Sequence, residues 1–185
     1  MTGGGTARAG LLVRQFDIAR ALMGHHLGRI DGAACLWQPA PGSWTVRPDG
    51  RGRWVADWQV PEPDPAPTVT IGWLTWHLGF WWTITLAHCF GTGAAPEREE
   101  IGWPGSAAAT AEWILGLEAR WRAGLLRLDD TDLDSTERTA ALPWGDGRTL
   151  ADVAAWVNVE LTKNIAEIGI VHHLYRARLA AAPRE

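Results

Sequence analysis

The chain has 185 residues, 46% of them hydrophobic and 21% charged, which is ordinary for a globular domain and excludes disordered, collagen-like and disulfide-dense classes. Its net charge of −4, with no run of Lys or Arg, excludes the basic footprint that a nucleic-acid binder needs. Cys35 and Cys89 are the only cysteines, without a C-x-x-C, and read as reduced thiols of a cytoplasmic protein; Met1 to Gly10 lacks the apolar core of a signal peptide.

Four helical segments emerge in chain order, and together they predict an all-α fold: a four-helix bundle in one domain over 1–185, with its core at about 8–179. The first runs from about Arg8 to Ile30, where Leu12, Phe16, Ala19, Met23, His26 and Ile30 keep helical spacing. A long Trp-rich loop, Asp31 to Pro67, follows with Trp37, Trp44, Trp54 and Trp58. Within it, Trp44-Thr-Val-Arg47 and Arg53-Trp-Val-Ala56 read as short extended pieces around a Pro48-Asp-Gly turn. Such a loop is either an ornament packed down by its tryptophans or a lid beside a site.

The second segment, Thr68 to Phe90, belongs to a stretch without Asp, Glu, Lys or Arg that continues to Pro96. It is long enough to span a bilayer, but threonines and histidines interrupt it and its flanks are acidic, so it reads as a core helix and no membrane partner is expected. The third runs from about Ser106 to Leu128, capped by Ser106, with Trp113, Leu117, Trp121, Leu125 and Leu128 as its buried stripe. The fourth runs from about Leu150 to Leu179, opened by Thr149-Leu-Ala-Asp152, a capping-box pattern.

Polar residues on the fourth helix carry the functional signal. Val153, Trp156, Val157, Glu160, Asn164, Glu167, Val171 and Leu174 share one side, opposite Ala155, Asn158, Thr162, Gly169, His173 and Arg176. Glu160, Asn164 and Glu167 therefore lie on the stripe expected to enter the core, where a carboxylate must be paired, metal-bound or protonated. On the second helix, His77 lies among tryptophans on a side shared with Trp73, Phe80, Trp81, Ile84 and His88. A core histidine of this kind is either a hydrogen-bonded packing residue or a ligand. Facing Glu160 and Asn164 across a bundle, it would complete a three-ligand divalent-metal site with open positions. His25, His26, His172 and His173 read as structural, the last pair complementing a helix C-terminus.

Two compositional features stand beside this. Lys163 is the sole lysine against sixteen arginines, a bias that points to a GC-rich, actinobacterial genome. Thirteen tryptophans against three Phe and one Tyr read chiefly as bulky filler between helices, with a few left to wall a pocket. The P-loop, G-x-G-x-x-G, H-E-x-x-H and G-x-S-x-G motifs do not occur.

Ile71-Gly-Trp-Leu-Thr-Trp-His77-Leu and Trp156-Val-Asn-Val-Glu160-Leu-Thr-Lys-Asn164-Ile-Ala-Glu-Ile168, with Leu36-Trp-Gln-Pro-Ala-Pro-Gly and Arg53-Trp-Val-Ala-Asp-Trp, resemble the DinB/YfiT-like superfamily over nearly the whole chain. That family usually supplies one His from the second helix, matched by His77, and a His-x-x-x-His pair from the fourth, where this chain has Glu160 and Asn164. The resemblance implies a cytoplasmic homodimer acting on a small molecule. Zn, Ni or Mn at His77, Glu160 and Asn164 would activate a low-molecular-weight thiol such as mycothiol, in a transferase or isomerase. Glu167 would serve as a catalytic residue that orients or protonates. The alternative is a metal-free bundle whose degenerate site only binds a small molecule.

Overall fold

Residues 7–181 are described by the computed structural model. Helix α1 spans Ala7–Leu27, α2 Gly32–Leu36, α3 Ile71–Phe90, α4 Ala107–Leu125, α5 Asp130–Asp134 and α6 Leu150–Ala181; strands β1 (Val46–Pro48) and β2 (Trp54–Ala56) form the only sheet among the described residues. The molecule is thus mostly helical. Its helix starts follow local chemistry. The Thr70 hydroxyl accepts from the Trp73 N–H at 3.2 Å and Ser106 from Ala109 at 3.2 Å, each satisfying an otherwise unpaired donor. At α6 the exchange is reciprocal: Asp152 N–H donates to the Thr149 hydroxyl at 3.2 Å, and Thr149 N–H to the Asp152 carboxylate at 3.0 Å.

Packing closes the four long helices into a ring, with α1 against α4 and α6, and α3 against the same two. Phe16, Trp82, Ile114, Trp121, Val157, Leu161, Ile165 and Ile168 are fully enclosed between them. Helices α3 and α4 meet at Gly79, where a Cβ would lie 2.0 Å from the Trp113 ring. Helices α1 and α4 are tied by Arg122, which donates twice to Asp17 at 2.7 and 3.0 Å, and by Arg20 beside the buried Glu118 at 2.7 Å.

Helix α3 is enclosed on most sides, with Ile71 to Thr75, Trp81, Trp82, Ile84 to Leu86 and Cys89 all buried. No helix among the described residues is long and apolar enough to cross a membrane. His77, Phe80, Thr83, Ala87, His88 and Phe90 are the only partly buried residues of α3.

That connection, residues 31–67, is more ordered than a plain loop. Asp31 accepts from the Ala34 N–H at 2.8 Å and starts the short α2. The expected extended pieces pair antiparallel, Val46 with Ala56 and Pro48 with Trp54. Asp49 shapes the turn between them, accepting from the Arg51 and Arg53 N–H groups at 2.8 and 2.9 Å, while Gly52 takes φ 77°.

The buried arc of α6 is broader than its sequence stripe and shifted toward α1. Asn158 and Gly169, expected on the solvent side, are buried, and Leu174, expected inside, is half exposed. The cause is α1, which lies against that edge: the Asn158 amide donates to the Leu12 carbonyl at 3.1 Å, and His26 packs so close to Gly169 that a Cβ there would meet its ring at 2.7 Å. Asn164 stays fully buried, whereas Glu160 and Glu167 sit at the margin of the arc.

Candidate functional site

Asp57 organises the wall of the site. Its carboxylate accepts from the Thr45 N–H at 2.9 Å and pairs with the Arg47 guanidinium, and its carbonyl accepts from the Trp73 indole at 2.7 Å. The last bond ties the residue just after β2 to α3 and fixes the Trp73 ring. Trp44 is held to the chain before α3 by two backbone bonds, its N–H to Thr68 at 2.8 Å and its carbonyl from Thr70 at 2.9 Å. Trp44 and Trp73 approach to 5.5 Å between centroids, and Trp44 and Trp58 stack at 6.4 Å.

These three indoles line a cavity of about 450 Å³ together with His77, Lys163, Asn164 and Glu167, with Glu62 exposed on its border. The volume lies in the range of small-molecule sites. His77, one helical turn after Trp73, stacks on it at 4.9 Å with planes 7° apart and lies 6.4 Å from Trp58. Burial, aided by the positive charge of Lys163, pushes the His77 imidazole down to about 4, so it is neutral at neutral pH. Its Nδ1 is buried and has no hydrogen-bond partner. Opposite, the Asn164 carbonyl oxygen accepts from the Trp81 indole at 3.1 Å, and its amide nitrogen donates to Glu167 at 3.3 Å.

Of the four residues singled out from the sequence, the cavity brings His77, Asn164 and Glu167 together. Glu160 is not among its lining residues: its carboxylate pairs with Lys163 at 2.8 Å, so the partner a carboxylate on this stripe requires comes from its own helix. Lys163 was visible as the only lysine, beside Asn164, yet nothing in its spacing marked it as part of the site. Trp44 and Trp58 stood in a loop read as ornament or lid and Trp73 on the His77 side of its helix, but nothing in the sequence joined the three into one wall. Their separation from the enclosed Trp82 and Trp121 is a product of packing.

The Asn164 oxygen accepts from Trp81 and Glu160 pairs with Lys163, while the buried Nδ1 of His77 has no partner; among the described residues no three His, Cys, Asp or Glu side chains gather.

The four long helices thus carry an aromatic-walled cavity between α3, α6 and the α1–α3 connection. Residues 55–168, from β2 through most of α6 and including His77, Glu160, Asn164 and Glu167, match the DinB superfamily, and the chain belongs to it. No curated protein and no solved structure matches the chain.

Proposed function

We propose that this DinB-superfamily protein is a four-helix bundle that binds a small organic molecule, without a metal, in the cavity beside His77. The observation that carries the reading is the mutual engagement of the polar groups: Asn164 holds Trp81 and Glu167, and Glu160 holds Lys163, beside a wall of three indoles and the aliphatic Val60, Pro67, Val69 and Leu74. Such a site offers shape, apolar area and a few fixed polar atoms. A cytoplasmic setting belongs to the same proposal and is supported by Cys35 and Cys89, which are buried free thiols and form no disulfide with each other. Homodimerisation is supported by Leu11, Ile18 and Leu22 on α1 and Val159 and Ile170 on α6, apolar residues left on outward faces.

A second reading, metal-dependent transfer or isomerisation with a low-molecular-weight thiol, is favoured by the buried, unpartnered Nδ1 of His77. Melting temperature separates the two. An ion bound in the native state at a hundredfold excess over Kd adds about 2.7 kcal/mol of stability. We expect the protein to melt at the same temperature with chelator and with Mn²⁺, Ni²⁺ or Zn²⁺. A gain specific to one ion, abolished in His77→Ala, would replace the first reading by the second.

A further inference from the structure

The charges and surfaces around the cavity are not neutral in what they select. Two carboxylates border it, Glu62 and Glu167, against one ammonium, Lys163. That ammonium is already answered by Glu160 at 2.8 Å, which itself lies outside the cavity wall. Glu167 receives only one neutral amide donor, from Asn164 at 3.3 Å, and no cation bonds to it among the described residues. Much of the remaining wall is aromatic, from the indoles of Trp44, Trp58 and Trp73, whose π-electrons attract positive charge, with Val60, Pro67, Val69 and Leu74 as aliphatic surface. One of these rings already does so: the Arg98 guanidinium lies 5.2 Å from the Trp58 centroid, in a neighbouring cavity of about 580 Å³ that Trp58 also lines.

An anion entering the cavity would meet two unneutralised carboxylates and compete with Glu160 for the only ammonium. A neutral apolar molecule would desolvate Glu167 and return nothing to it. A metal ion asks for several free donor atoms at bonding distance, which the engaged Asn164 and Glu160 do not provide. An alkylated ammonium asks for none of these. Its charge is diffuse, it is held by carboxylates at longer range, and its carbon substituents pack on indole.

We propose that the cavity takes an organic cation, an amine or quaternary ammonium on an apolar or aromatic body, with its charge toward Glu167 and Glu62 and its carbon surface on Trp44, Trp58 and Trp73. The assignment rests on the small-molecule-binding reading above and names the ligand class of that same site.

The test is isothermal titration, with tryptophan fluorescence as a second readout, of three probes that share a benzyl body: benzyltrimethylammonium, benzyl alcohol and phenylacetate. The cation should bind at least about tenfold more tightly than the other two. Glu167→Gln should weaken it about fivefold and the exposed Glu62→Gln about twofold, while Lys163→Met should leave it unchanged or tighter. Because Glu62 is exposed, its variant keeps the test sound if Glu167→Gln fails to fold, and the ranking of probes on the unmodified protein needs no variant. Preference for phenylacetate, lost in Lys163→Met, would overturn the assignment in favour of an anion. Equal binding of all three probes, or binding of none at millimolar concentration, would overturn it as well. None of these outcomes touches the metal-free reading, which falls only to ion-dependent melting.

Discussion

His77 and His26 both meet α6, His77 across the cavity from Asn164 and His26 about a turn and a half further along, against Gly169. Burial lowers the pKa of both. For His77 the next cause is a single ammonium, Lys163; for His26 it is a set of other basic groups, His25, His173, His172 and Arg29. His26 meets His25 at 5.2 Å and His173 at 6.4 Å, each edge to face, and its ring fills the space that a side chain at position 169 would need. His77 is stacked on an indole, keeps a nitrogen without a partner and borders open volume. A lowered imidazole pKa is therefore common to a packing seam and a site. What distinguishes the site is the cavity and the aromatic wall, not the titration.

The largest expected effect breaks the wall. Trp73→Ala removes the ring that His77 stacks on and the indole that donates to Asp57 at 2.7 Å, from a residue only 8% exposed. Urea unfolding should show a loss of about 3–5 kcal/mol, as for other large-to-small changes in a packed interior. A loss below about 1 kcal/mol would mean that the Asp57–Trp73 contact is looser than the hydrogen bond implies.

Acid sharpens the comparison. His77 titrates at an ordinary 6.5 in the unfolded chain and near 4 in the folded one, so the unfolded chain binds the proton first. The stability that depends on neutral His77 is complete above about pH 6.5 and falls as the pH drops toward 4, by about 3 kcal/mol in all. His26 and His172 are lowered too, chiefly by burial, and act in the same direction. Chemical unfolding across this range should give a curve that flattens strongly in His77→Gln and much less in His26→Gln. Equal flattening in the two variants would show that burial weighs on the two imidazoles alike.

The smallest effect is at Glu160. Its partner Lys163 is 48% exposed and lies three residues away on the same helix. Glu160→Ala should cost about 0.2–0.5 kcal/mol and leave the pH dependence assigned to His77 in place. A loss of several kcal/mol would show that the carboxylate serves the site directly.

The parts of this protein that are readable in its sequence are those governed by neighbours in the chain. Thr149 with Asp152, Ser106 ahead of α4, and the Asp49 turn each complete their hydrogen bonds within a few residues, so their helices and hairpin begin where the letters place them. The helix α2 was hidden within an expected loop, because five residues and one Asp31 cap are too short for periodicity to register. Helical spacing was likewise enough to put His77 and Asn164 on inward faces.

Tertiary contacts decided the remainder. The α6 stripe contained Glu160, Asn164 and Glu167 with equal standing. The approach of α1 through Asn158 and Gly169 turned the helix so that Asn164 alone is enclosed, leaving Glu160 at the margin with Lys163. Of the thirteen tryptophans, the sequence left open which few would wall a pocket. Trp82 and Trp121 became filler and Trp44, Trp58 and Trp73 became a wall only when residues 31–67 folded back over α3. Hydrogen bonds between chain neighbours are specified by local sequence, whereas the burial of a side chain depends on which distant surface comes to lie against it.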